Sequence, residues 1–178
     1  MKKGKKAALM GLFILTSGIA LTVRKRQCHI RPNKPLMKAL GRVGDDEVSC
    51  VVIKDGVITH TLYGRGIAPI LSLYDEGELK DAVVVDKIVG KAAAMIFSAG
   101  GVSSCYGVTM SKAGLEWLEK NKIQADYTTL APSIQNRKGD GICPMEETVK
   151  EMTDEQEAIC ALRKKIEELK GERENGRR

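Results

Sequence analysis

The chain has 178 residues, 43% hydrophobic and 29% charged, which suits one globular domain with a real core and excludes a disordered composition. Aromatics make up only 4%, so that core must be built from Val, Ile, Leu and Ala. The formal net charge of +6 suggests nucleic acid, but its distribution does not. Ten Lys and Arg and no acid fall between Met1 and Lys38, leaving 19 basic against 23 acidic residues elsewhere. No basic stripe interleaved with aromatics exists, so no nucleic-acid partner is expected.

The five cysteines, Cys28, Cys50, Cys105, Cys143 and Cys160, are odd in number and widely scattered. With no C-x-x-C, no H-x-E and only His29 and His60 as imidazoles, they form neither a disulfide framework nor a zinc signature. No metal and no cofactor is expected. Scattered thiols suit a reducing compartment.

Residues 1–30 hold an uncharged apolar run, Ala7 to Val23, between Lys2, Lys3, Lys5 and Lys6 and the Arg24-Lys25-Arg26 exit. A membrane anchor, a signal peptide and a buried helix all compete for it. The basic flanks favour an anchor with the following domain on the cytoplasmic side. The charged exit is a poor cleavage site. The alternative is a soluble cytoplasmic protein. Residues 31–48 read as a linker with a short helix over Pro35–Leu40, and 49–152 as the globular domain.

Ser49–Lys54 and Val57–Leu62 are β-rich runs joined by Asp55-Gly56, which predicts a hairpin. Arg65, between two glycines, is either an anion contact or a solvated turn residue. Ile67–Tyr74 reads as a short helix. Ala82–Val85 reads as a buried strand leading into a nearly all-apolar helix over Asp86–Gly100, with Asp86 as its cap. Lys87 and Lys91 then share one helix face near its start, against the macrodipole, which marks a candidate site. Val102–Val108 reads as another strand. Ser111 caps a helix to about Asn121, and Tyr127–Leu130 is the last strand. A hairpin followed by alternating helices and strands implies an α/β fold with a mixed sheet and helices on both faces. Its ligand crevice lies beyond the strand carboxyl ends, where helices begin.

The Asn136–Glu146 stretch is dense in turn-formers and opens a helix at Pro144. Its glycines could turn N–H groups toward an anion, with Asn136, Arg137 and Asp140 as contacts and Cys143 as a thiolate. Asn136 and Asp140 could equally just shape the turn, and Cys143 could pack. Thr153 and Gln156 form a capping box for a last helix, whose stripe Ile159, Leu162, Ile166 and Leu169 docks on its own domain or on a partner. Gly171–Arg178 should fray. Residues 153–178 thus form a C-terminal helix and tail.

The stretches DGVITHTLYGRGIAPIL, DKIVGKAAAMIF, VTMSKAGLEWL and NRKGDGICPMEETV together resemble the domain-of-unknown-function 1893 family, over roughly Ser49 to Lys150. That family is placed in the cytidine-deaminase-like superfamily. The resemblance implies a three-layer α/β/α sandwich with a five-stranded mixed sheet. It does not bring catalysis with it. Zinc deaminases carry an H-x-E and a P-C-x-x-C motif at two helix starts. Here the corresponding starts surround Lys91 and Ser111 and supply neither ligands nor the proton-shuttling Glu.

Three functions follow as expectations. One is binding of a small anionic, nucleotide-like ligand by Arg65, Asp86, Lys91, Ser111, Asn136, Arg137 and Asp140. The second is an enzyme of unassigned type using Lys91 or Cys143. The third is a membrane-tethered structural or partner-binding module, with the C-terminal stripe as its contact surface.

Overall fold

A computed structural model describes residues 30, 33–64 and 66–175. Helix α1 (Lys34–Val43) starts where Asn33 accepts from Leu36 N at 2.9 Å and Pro35 occupies the first turn. It is longer than the expected Pro35–Leu40. Strands β1 (Val48–Lys54) and β2 (Val57–Tyr63) form the expected hairpin. Its two central residues, Asp55 and Gly56, both have positive φ, as a turn matching the strand twist requires. Helix α2 (Ala68–Asp75) follows, then β3 (Val83–Val89), α3 (Lys91–Ala99), β4 (Ser104–Ser111), α4 (Lys112–Lys120), β5 (Gln124–Ala131), α5 (Pro144–Thr148) and α6 (Glu155–Asn175).

The five strands make one sheet in the order β2-β1-β3-β4-β5. The pairs β2/β1 and β1/β3 are antiparallel, while β3/β4 and β4/β5 are parallel. The fold is therefore α/β with a five-stranded mixed sheet. One face carries the larger core, in which Ala93, Met95, Ile96 and Phe97 of α3 meet Leu118 of α4 and Leu162 of α6. The other face carries a smaller core of Leu36, Ala39 and Val43 of α1 against Val51, Ile53 and Val85.

The expected helix over Asp86–Gly100 is wrong in its first half. Asp86–Val89 continues β3, and the helix begins at Lys91 with Gly90 at its cap. The apolar residues around it fit a strand as well as a buried helix, and pairing with β4 along its length, and with β1 at Asp86, decides for the strand. Asp86 is therefore not a helix cap. Lys87 and Lys91 do not share a helix face, and Lys87 Nζ instead donates to Asp45 O at 2.9 Å.

The inward-facing residues of the parallel strands are spaced two and then three apart. They are Val84, Asp86 and Val89 in β3, Cys105, Gly107 and Met110 in β4, and Ala125, Tyr127 and Leu130 in β5. This shared change of phase turns Val89 and Met110 inward at the carboxyl ends of their strands.

Two corrections concern α6. Asp154, not Thr153, caps it, with Oδ1 accepting from Glu157 N at 2.8 Å, while Gln156 reaches the Tyr74 hydroxyl. The helix also runs through Gly171 to Asn175 rather than fraying at Gly171. Its stripe is spent on its own domain, with Ile159 and Leu162 buried beside α3 and Ile166 at the edge. Among the described residues no helix is long and apolar enough to cross a membrane. The anchor expected over Ala7–Val23 lies outside the described residues, as does Arg65.

Candidate functional site

The parallel strands β3 and β4 end side by side, and each feeds a helix at once. Gly90 is extended and offers no side chain to the start of α3, which leaves the N–H of Lys91 pointing outward. Ser111 is extended, fully buried, and caps α4 through Oγ, which accepts from Gly114 N at 3.0 Å. The two helix starts approach closely because Gly114 lacks a side chain. A Cβ there would stand 2.9 Å from Val89 O.

One carboxylate fills the gap between them. Glu146 is 7% exposed and comes from α5, the helix that Pro144 opens. Its Oε1 accepts from Ser111 Oγ at 2.5 Å and from Lys91 N at 3.3 Å. Its Oε2 accepts from Ile134 N at 2.6 Å. The fit is tight, since a Cβ on Gly90 would meet Ile134 Cγ1 at 3.1 Å and Glu146 Cδ at 3.3 Å. Three donors thus converge on an anion supplied by the chain itself, at a helix N-terminus whose dipole favours negative charge.

The segment that delivers Glu146 is a small closed turn. Asn136 Oδ1 accepts from Lys138 N and Gly139 N, and its Nδ2 donates to Asp140 Oδ1 at 2.8 Å. Asn136 N donates to Gly141 O, and Cys143 N to Ile134 O. Asn136 and Asp140 therefore shape the turn, Arg137 and Asp140 stand exposed, and Cys143 is half-buried beside Pro144.

Lys91 contributes its backbone to the crevice. Its side chain leaves it, and Nζ donates to Lys150 O at 2.6 Å and Met152 O at 2.9 Å. The same ammonium stands 5.5 Å from the centroid of Trp117, with Lys120 at 5.2 Å. Partial burial lowers the Lys91 pKa, the neighbouring Glu151 opposes that, and Lys120 adds to it. The lysine ties the end of α5 to α3.

Asp86 lies deeper, inside the larger core. It is 5% exposed, and Oδ1 accepts from Ile88 N at 2.8 Å. Burial pushes its carboxyl up to about 7, against the hydrogen bonds from Ile88 N–H and the Cys50 thiol that pull it down. Burial and the Asp86 charge push the thiols of Cys50 and Cys105 well above their usual range. The structure thus brings together Ser111, the Lys91 backbone and Glu146, and leaves Asp86, Arg137 and Asp140 apart from them. Among the described residues no group of three or more His, Cys, Asp or Glu side chains is placed to hold a metal ion.

Glu146 is the residue that sequence reading missed. A signal existed: it stands three before the apolar Val149, the residue that ends α5, and both are buried.

Fold and site together define a mixed-sheet α/β domain whose strand-end crevice is closed by its own carboxylate. The chain belongs to the family described as Domain of unknown function (DUF1893), whose family model matches residues 38–166. It is similar to the crystal structure of a DUF1893 family protein from Thermotoga maritima. The TM-score is 0.67 at 24% identity, covering 79% of this chain and 95% of that one. A diaminohydroxyphosphoribosylaminopyrimidine deaminase/5-amino-6-(5-phosphoribosylamino)uracil reductase from the same organism gives a TM-score of 0.36 at 20% identity. That match covers 64% of this chain and 37% of that one, and it is too weak a likeness to carry weight. No curated protein matches the chain.

Proposed function

We propose that this protein binds a small anionic ligand, a carboxylate or phosphate compound of nucleotide-like size, in the crevice at the carboxyl ends of β3 and β4. The observation that carries the reading is the convergence of Lys91 N–H, Ile134 N–H and Ser111 O–H on one anion. Glu146 is the resident occupant, and a ligand binds by displacing it. The location fits the general rule for open α/β sheets. It also fits the resemblance of the chain to the cytidine-deaminase-like superfamily, whose zinc enzymes place their ligand motifs at two helix starts. In this chain Lys91 and Ser111 stand at those starts without metal ligands.

Thermal unfolding of the full chain, followed by its only tryptophan, Trp117, tests this against inorganic phosphate, pyrophosphate and nucleoside monophosphates. A ligand at a hundred times its dissociation constant adds about 2.7 kcal/mol, a rise in Tm of roughly 5–10 °C. Glu146→Gln removes the competing charge but keeps an acceptor. It is expected to bind the same anion about tenfold more tightly than the natural chain. An anion panel that shifts neither protein overturns the reading.

A further inference from the structure

The two faces of the sheet are covered unequally. Helices α2 to α6 lie on the side of the larger core, while α1 packs over β1, β2 and β3 on the other. No described helix lies over β4 and β5 on the α1 side. Tyr106 and Val108 stand there, half-buried against the edge of the α1 core, and the Tyr106 hydroxyl meets Thr128 Oγ1 at 3.1 Å. Parallel strands are otherwise found with both faces covered.

The chain itself leads back to this side. Ile30 is 7% exposed and belongs to the α1-side core. Seven positions before it ends the uncharged run Ala7–Val23. As a helix the run would be about 25 Å long, and an eight-residue strand such as β4 about 26 Å. The six residues between the run and Ile30 reach about 20 Å when extended, whereas β1 and β5 are three strand spacings apart, about 14 Å.

We propose that Ala7–Val23 docks on the α1 side of β4 and β5 and completes the second helical layer beside α1. The run supplies the apolar cover that Tyr106 and Val108 lack among the described residues, and Ile30 is the pin that directs it there. The basic cluster Arg24–Arg26 then lies at the rim, in solvent.

The test uses the full chain carrying Val108→Cys, with thiol alkylation read cysteine by cysteine through peptide masses. The expected result is a monomer in detergent-free buffer whose Cys at 108 reacts slowly. Alkylation there should become at least tenfold faster when residues 7–23 are replaced by a Gly-Ser segment of equal length. If that replacement fails to fold, Leu15→Asp, read in the same way, serves instead. Two outcomes overturn the proposal. In one, position 108 reacts equally fast with and without the run while the chain co-sediments with phosphatidylglycerol vesicles, so that the run is in lipid. In the other, the chain has twice the monomer mass and protection rises with protein concentration, so that a second copy covers the face.

Discussion

Asp86 shows what one buried carboxyl does to a fold. Its usual pKa of 3.8 is raised to about 7 by burial, so the native state holds its proton more tightly than the unfolded chain does. Stability from this group is full below about pH 4 and falls as pH rises toward 7, levelling off above that. A rise of that size corresponds to a few kcal/mol. Asp86→Asn keeps an acceptor for Ile88 N–H and cannot ionise. Urea midpoints measured from pH 4 to 8 should show the variant gaining steadily on the natural chain up to about pH 7. A difference between the two that does not change with pH would refute the burial account. Ser111 was legible in the sequence as a helix cap, because a cap depends on a few adjacent residues. Lys91 was legible as a marked position, but the relevant atom is its backbone nitrogen. The path of its side chain is set by the carbonyls of Lys150 and Met152, about sixty residues away, which no local pattern reveals.

Two glycines separate propensity from packing at the scale of the helix. Both Gly114 in α4 and Gly171 in α6 lie where alanine is intrinsically favoured by about 1 kcal/mol. Around Gly171 a Cβ meets nothing within 4 Å, whereas at Gly114 it meets Val89 O at 2.9 Å and Gly90 C at 3.0 Å. Gly171→Ala should therefore raise stability by up to about 1 kcal/mol. Gly114→Ala should lower it by about 1–3 kcal/mol, the usual range for overpacking, because backbone atoms cannot yield as a flexible side chain can. Chemical denaturation of the two variants side by side reads the opposite signs. The same close approach brings Ser111 within reach of Glu146, so Gly114→Ala should also weaken any anion binding in the crevice. The helix α4 and its cap follow from the sequence, while the closeness of α4 to the β3–α3 turn follows only from packing.

At the scale of the molecule, α6 is part of the domain and not an appendage. Ala158, Ile159 and Leu162 are buried in the same core as α3 and α4. Leu162→Ala should cost about 2–5 kcal/mol, the usual range for emptying a core leucine site. Trp117 fluorescence, which reports on α4, and far-ultraviolet dichroism, which weights the long α6, should show that loss in one coincident transition. Separate transitions would mean that α6 folds on its own. Local chemistry in the sequence determined the Asp55-Gly56 hairpin, the alternation of strands and helices, the Ser111 cap and the inward stripe of α6, since each depends on residues a few positions apart. The tertiary structure alone decided that Asp86–Val89 is strand, because so short a segment satisfies either backbone and only pairing with β4, joined by β1 at Asp86, chooses between them. It alone decided that Glu146 fills the crevice, because the three donors that hold it come from α3, β4 and the loop after β5. Those segments meet only once the sheet has formed.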